Sequence, residues 1–175
     1  MARGCIFAKT EVLAALSVLD REYKKAYKRP SPRNNRLLKA YSKMAVITAG
    51  GWVEDGIKSL MEMSILKLKE LDGQKRLKNE ADHIWGFRYY HFSKGMMFAF
   101  GAHGLEYVER KIGSTDLAIL SSSFGKLKTW RDDAAHSHAT TIRSNPTMVI
   151  GEMNIIFPIL KKIEASTREY SRKHF

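Results

Sequence analysis

After Asn145-Pro146, apolar side chains fall at Val149, Met153, Ile156, Leu160 and Ile163, at spacings of four, three, four and three. That rhythm puts all five on one face of an α-helix but scatters them over both faces of a strand. It recurs at Val12, Leu16, Leu19 and Tyr23, and again at Leu117, Leu120, Phe124 and Leu127. Ile57, Leu60, Met61 and Ser64 follow it too, with Leu68 and Leu71 continuing the stripe. No convincing alternation of period two appears. A chain patterned this way folds by burying helical stripes against one another.

The breaks between stripes are chemically marked. Three of the four prolines stand near segment junctions. Arg29-Pro30-Ser31-Pro32 ends the first helix, because proline blocks continuation and restricts its predecessor. Asn34 or Asn35 can cap the next, which carries Leu38, Tyr41, Ala45 and Thr48. Gly50-Gly51 predicts a kink rather than a stop. Asp72-Gly73 predicts a C-cap and turn, and the pattern weakens from Gln74 to Trp85. Gly86 to Ile112 reads as another helix, with Phe98, Leu105, Val108 and Ile112 as its later stripe. Gly95, Gly101 and Gly104 each cost that helix about 1 kcal/mol against alanine, and they would permit close helix approach. Gly113-Ser114 ends it, and Ser114 or Thr115 can cap its successor. Thr140 to Asn145 reads as a loop, and Asn145-Pro146 opens the last helix with a capping side chain and a proline at the first turn. The expectation is an all-α, up-and-down helical bundle of about five helices with short connections, forming a single domain over residues 1–175.

Charge narrows the choice of partner. The 175 residues carry a formal net charge of +12 and a pI of about 9.8. Such an excess favours a polyanion, RNA or DNA first; the alternative is an ordinary solvated basic surface. Between residues 21 and 43 lie Arg21, Lys24, Lys25, Lys28, Arg29, Arg33, Arg36, Lys39 and Lys43, with Glu22 as the one acid. Tyr23, Tyr27 and Tyr41 interleave with them. Such a run can track an RNA backbone and stack bases, or it can be a solvated face with core tyrosines. Cys5 is the sole cysteine, which excludes an internal disulfide and a Cys-rich zinc site. No apolar stretch approaches a membrane span, and Lys9 and Glu11 interrupt any signal-peptide pattern. The expected location is therefore the cytoplasm, with no membrane partner.

One short stretch concentrates chemistry: Trp130-Arg131-Asp132-Asp133-Ala134-Ala135-His136-Ser137-His138. Arginine holds a phosphate with a planar fork of donors, and histidine moves protons near neutral pH. Asp132 and His136 are four apart and share a face of a continuous helix, so the carboxylate can fix the imidazole in one tautomer. Arg131 and His136 are five apart and point about 140° from each other at 3.6 residues per turn. They converge across a kink, or on a substrate held between two copies of the helix. The chemistry this set supports is attack of a ribose 2′-OH on its adjacent phosphate, with His136 as base or acid and Arg131 as electrostatic clamp. The 2′-OH restricts the substrate to RNA. No metal or cofactor is demanded by these residues. An Arg five before a His also arises often by chance in a chain of this composition, and a helix-end salt bridge of Arg131 or His136 with Asp132 or Asp133 is the competing reading.

Arg131-Asp132-Asp133-Ala134-Ala135-His136 resembles the R-x4-H motif of the HEPN superfamily, whose second position is commonly Asn, Asp or His. Leu127-x-x-Trp130 before it and the helix after Asn145-Pro146 fit as well. The helix around Trp52-Val53-Glu54-Asp55 resembles the early HEPN helix that bears a buried or interfacial acid. The closest flavour is the RiboL-PSP-HEPN type of bacterial toxin and phage-defence proteins. The resemblance implies an all-α homodimer with metal-independent endoribonuclease activity, and an antitoxin or inhibitor protein as a partner. Arg131 and His136 carry over directly as catalytic residues, and Asp132 fills the variable polar position. Glu54, Asp133 and His138 are supporting candidates. Lys24, Lys25, Lys28, Arg29, Arg33 and Arg36 are candidates for RNA binding.

Two readings of other classes stand beside this one. A HEPN-like protein can bind RNA or act as a scaffold without catalysis. A basic helical protein can regulate DNA, although no helix-turn-helix spacing is recognisable. His91 and His103 lack metal-ligand spacing on one face. Met96-Met97-Phe98 reads as core or dimer surface.

Overall fold

The computed structural model describes residues 5–65, 70–83, 86, 88–135 and 143–174. Among them the chain forms six α-helices and no strand. They are α1 (Lys9–Tyr27), α2 (Pro32–Ile65), α3 (Leu71–Asp82), α4 (Tyr89–Ile112), α5 (Ser114–Ala135) and α6 (Pro146–His174). The all-α expectation holds, with one helix more than expected. The extra one is α3. Asp72-Gly73 lies in its first turn rather than at a C-cap: Glu70 is extended, and its carbonyl already accepts from the Gln74 amide at 3.0 Å. Asp72 there complements the positive end of the helix. α3 buries only Ala81, so its apolar periodicity was too faint to read.

Helix α2 runs unbroken through Gly50-Gly51 and packs against all five other helices. Its buried stripe is Ser42, Ala45, Val46, Ala49, Val53, Gly56, Ile57, Leu60, Met61 and Ser64. The start of α2 differs from expectation. Pro32 is its first residue, and Ser31 Oγ accepts the Asn34 amide at 3.1 Å. The cap is thus Ser31 rather than Asn34 or Asn35, because a proline with preset φ suits the first turn and moves the start upstream.

Helix α4 bends at Gly101, whose φ of 71° and ψ of 175° are non-helical. Glycine alone adopts such a conformation without strain. The bend resets the phase of burial. Before it Phe92, Met96, Ala99 and Phe100 face inward; after it Leu105, Val108 and Ile112 do. Phe98, expected in the later stripe, therefore stays 48% exposed, as does Met97 at 52%. Met96 is core.

In α6 all five stripe residues are buried, and the helix continues through Pro158. An interior proline costs about 3 kcal/mol; the buried Ile156, Ile159 and Leu160 around it carry the helix across. Asn145 Oδ1 accepts the Met148 amide at 2.9 Å, the cap expected from Asn145-Pro146. A feature with no periodic signal closes the core. Phe7, ahead of α1, is fully buried and edge-on to Trp52 at 5.4 Å between ring centroids. Its ring occupies the space a Cβ at Gly56 would need. Among the described residues no helix is long and apolar enough to cross a membrane.

Candidate functional site

Arg131 stands just before the last turn of α5. Its neighbours Leu127 and Ala134 are buried, and Trp130 packs against the core, which locks the rotation of that turn. Glu54 stands on α2 next to buried Val53, Gly56 and Ile57. The α2–α5 contact brings the two together: Arg131 Nη1 donates to Glu54 Oε1 at 2.6 Å. The Glu54 side chain is 17% exposed and that of Arg131 38%. The carboxylate is thus the more desolvated partner, and the cation keeps an open side. A charge-assisted bond of this kind aims the guanidinium as well as stabilising it.

Other charged groups surround this pair. Lys128 and Asp132, four apart on α5, form an ion pair. Asp133 lies 4.0 Å from Arg143 Nε, too far for a hydrogen bond, and its Oδ2 is buried without a hydrogen-bond partner among the described residues. From α4 comes His91, whose ring lies against Gly86. Its Nδ1 is buried and finds no hydrogen-bond partner among the described residues. Desolvation, then the positive charges of Arg88 and Lys94, hold the His91 imidazole below its ordinary pKa; Glu54 acts in the opposite direction and Lys128 adds to the lowering. α2 and α5 thus bring an arginine and a carboxylate together, and the charges of Glu54 and Lys128 reach the His91 imidazole on α4. The sequence weighs His91 only as a metal ligand and does not single out Lys128, since the electrostatic coupling of His91 to Glu54 and Lys128 depends on packing and leaves no trace in spacing.

The expected residues are distributed as follows. Arg131, Asp132 and Asp133 share the end of α5, and Glu54 joins them from 77 positions away. His136 and His138 lie outside the described residues. Asp132, expected to orient His136, has Lys128 as its ion-pair partner. The basic run lies elsewhere. Arg36 and Glu54 both belong to α2, and at 1.5 Å per residue they are about 27 Å apart along its axis. Part of that run is neutralised within α1: Lys24 pairs with Asp20 at 2.6 Å, and Lys25 and Arg21 pair with Glu22 at 2.9 and 3.2 Å. Lys28, Arg29, Arg33 and Arg36 are exposed and have no carboxylate partner among the described residues.

Among the described residues no three His, Cys, Asp or Glu side chains are arranged to hold a metal ion. Comparison of the chain with protein-family models, with curated proteins and with solved structures gives no match.

Proposed function

We propose that this protein is an endoribonuclease that cleaves RNA by attack of a ribose 2′-OH on its own phosphate, as a toxin or phage-defence effector of HEPN type. The observation that carries the reading is the Arg131–Glu54 bond. It holds a guanidinium in a set direction at the end of α5, five residues before His136. In the proposed step a base takes the 2′ proton and the 2′ oxygen bonds to phosphorus. The 5′ oxygen leaves and takes a proton from an acid. The products are a 2′,3′-cyclic phosphate and a 5′-hydroxyl. His136 serves as base or acid, and Arg131 offsets the charge that builds on the phosphoryl oxygens. None of these roles calls for a metal ion. A homodimer with two facing copies of the motif would focus positive potential on one phosphate.

Purified protein is expected to cut single-stranded RNA in EDTA, to leave a 2′,3′-cyclic phosphate and to spare DNA. Arg131→Ala and His136→Ala are each expected to abolish cutting with the helical circular dichroism unchanged. A strict dependence on added magnesium, or normal cutting by either variant, overturns the mechanism.

The same bond favours a second reading. Because Glu54 occupies the guanidinium, the pair can be a structural clasp between α2 and α5 in a protein that binds RNA without cutting it. In that case Arg131→Ala lowers the melting temperature and leaves no catalytic loss to measure.

A further inference from the structure

We propose that the cavity between the start of α4 and the middle of α5 is a seat for a base and phosphate of single-stranded RNA. The cavity measures about 500 Å³ and is lined by Arg88, Tyr89, Tyr90, Ser93, Ser121 and Gly125. A second hollow of about 310 Å³ adjoins it, sharing Tyr90 and Ser93 and adding Lys94, Met97 and Phe98. The inference rests on the reading of the chain as one that acts on RNA, and it adds a place where that RNA is gripped.

The lining matches the chemistry of a nucleotide. Tyr90 is 65% exposed and lines both hollows, and its ring meets that of His91 at 5.5 Å between centroids, so the exposed part of the ring is what a base can reach. Phe98 offers a second aromatic surface, with Lys94 Nζ 5.6 Å from its centroid. Aromatic faces beside cations are how single strands are held without regard to sequence. Arg88 and Lys94 have no carboxylate partner among the described residues. The acid that Tyr89 reaches, Glu109, accepts its hydroxyl hydrogen bond. Ser121 supplies a hydroxyl that can meet a base edge, and Ser93, whose hydroxyl donates to the Tyr90 carbonyl at 3.1 Å, supplies an acceptor oxygen.

Position links the cavity to Arg131. Ser121, Gly125, Lys128 and Asp132 recur at four, three and four, so they share one face of α5. Gly125 and Arg131 are about 9 Å apart along the helix axis and about 120° apart around it, so a dinucleotide would have to pass obliquely over α5 to span them. A strand seated in the cavity would run along Lys128 toward the guanidinium. Gly125 also offers a clean way to block the seat. A Cβ added there meets no other atom within 4 Å, so a larger side chain enters open space and leaves the packing intact.

The test is the affinity of the full-length protein for a short, fluorescein-labelled 2′-O-methyl RNA, which cannot be cut by 2′-OH attack. Gly125→Leu is expected to weaken binding at least about tenfold, and Tyr90→Ala about fivefold or more, the loss expected for one stacked base. Gly125→Ala is expected to bind within about twofold of wild type. Melting curves check that each variant is folded, and exposed Tyr90 keeps the test sound if Gly125→Leu is not. Wild-type affinity in both Gly125→Leu and Tyr90→Ala overturns the assignment. So does a wild-type protein that does not bind the RNA. Unchanged RNA affinity in Gly125→Leu together with loss of an acidic peptide's binding gives the cavity to a protein partner and also overturns it. If the variants lose RNA affinity and wild type cuts no RNA, the seat stands and the cleavage mechanism falls.

Discussion

Arg131 on α5 and Glu54 on α2, separated by 77 positions of sequence, meet through a 2.6 Å hydrogen bond at the edge of the core. The bond makes the direction of one guanidinium a property of helix packing rather than of local sequence. It also gives the carboxylate a consequence of its own. Glu54 does not have to touch RNA to control how Arg131 is presented.

Glu54→Gln is therefore expected to keep the shape of the contact and lose its charge. If Arg131 acts in cleavage, kcat should fall about tenfold while KM changes little, since aim is worth more in the transition state than in the ground state. A change confined to KM would show that Glu54 serves RNA binding instead. Removing Arg131 leaves Glu54 without this bond, which is expected to cost about 1–3 kcal/mol of stability. A double-mutant cycle over Arg131→Ala and Glu54→Ala by urea denaturation measures the coupling, and an additive result would mean the pair stabilises nothing.

The basic run makes a separate prediction. RNA affinity should fall steeply with salt, because each neutralised phosphate releases counterions. Lys24 and Lys25 already have carboxylate partners, whereas Lys28, Arg33 and Arg36 have none among the described residues. Replacing Lys28, Arg33 and Arg36 by Gln is expected to reduce the salt slope more than replacing Lys24 and Lys25. Equal slopes in both variants and wild type would make the run a solvated face.

Glu164 predicts an acid transition. It is buried on α6 and accepts the amides of Ile6 at 3.0 Å and Phe7 at 3.3 Å, and Arg168 Nη2 at 2.9 Å. Burial alone would raise its pKa, but the Ile6 amide, Arg168, the Phe7 amide and the Cys5 thiol together bring it below the ordinary 4.5. The unfolded chain thus takes up this proton first as pH falls. The stabilisation is full above about pH 4.5 and disappears as pH drops through the lower folded value. Glu164→Gln is expected to lower the neutral-pH stability and flatten the acid limb of a Tm-against-pH curve. An unchanged acid limb would exclude Glu164 as its cause.

His91 predicts a second step at higher pH. Its folded pKa lies below 6.5, so the unfolded chain binds the proton more tightly. The stability it contributes is complete above about pH 6.5 and is lost as pH falls from there toward the folded value. Between about pH 7.5 and 5.5, His91→Gln is expected to lose less in Tm than wild type. Parallel curves would mean that other histidines carry that window.

How much of this was legible in the chain differs from element to element. The stripes of α5 and α6 state their helices outright, because period-3.6 burial needs only local geometry and a preference for apolar side chains inside. The Asn145 cap and the break at Pro30–Pro32 are local too, and both were readable. α3 was not, because a helix that buries one alanine leaves almost no pattern. A stripe extrapolated at constant phase puts Phe98 inward, and the turn at Gly101 changes that phase. Phe7 had no periodic neighbours to reveal it, since its burial depends on a Gly56 that lies on another element.

The candidate site divides along the same line. Sequence by itself determined that the chain is helical and basic, and that Arg131, Asp132 and Asp133 crowd one helix end, since composition and spacing are properties of the string. Tertiary structure decided that Glu54 is the acid that meets Arg131, and that the His91 imidazole on α4 feels the charges of Glu54 on α2 and Lys128 on α5. Those pairings depend on the rotation and crossing of α2, α4 and α5. Such rotations are set by how whole apolar faces interlock, and no short window of residues encodes them.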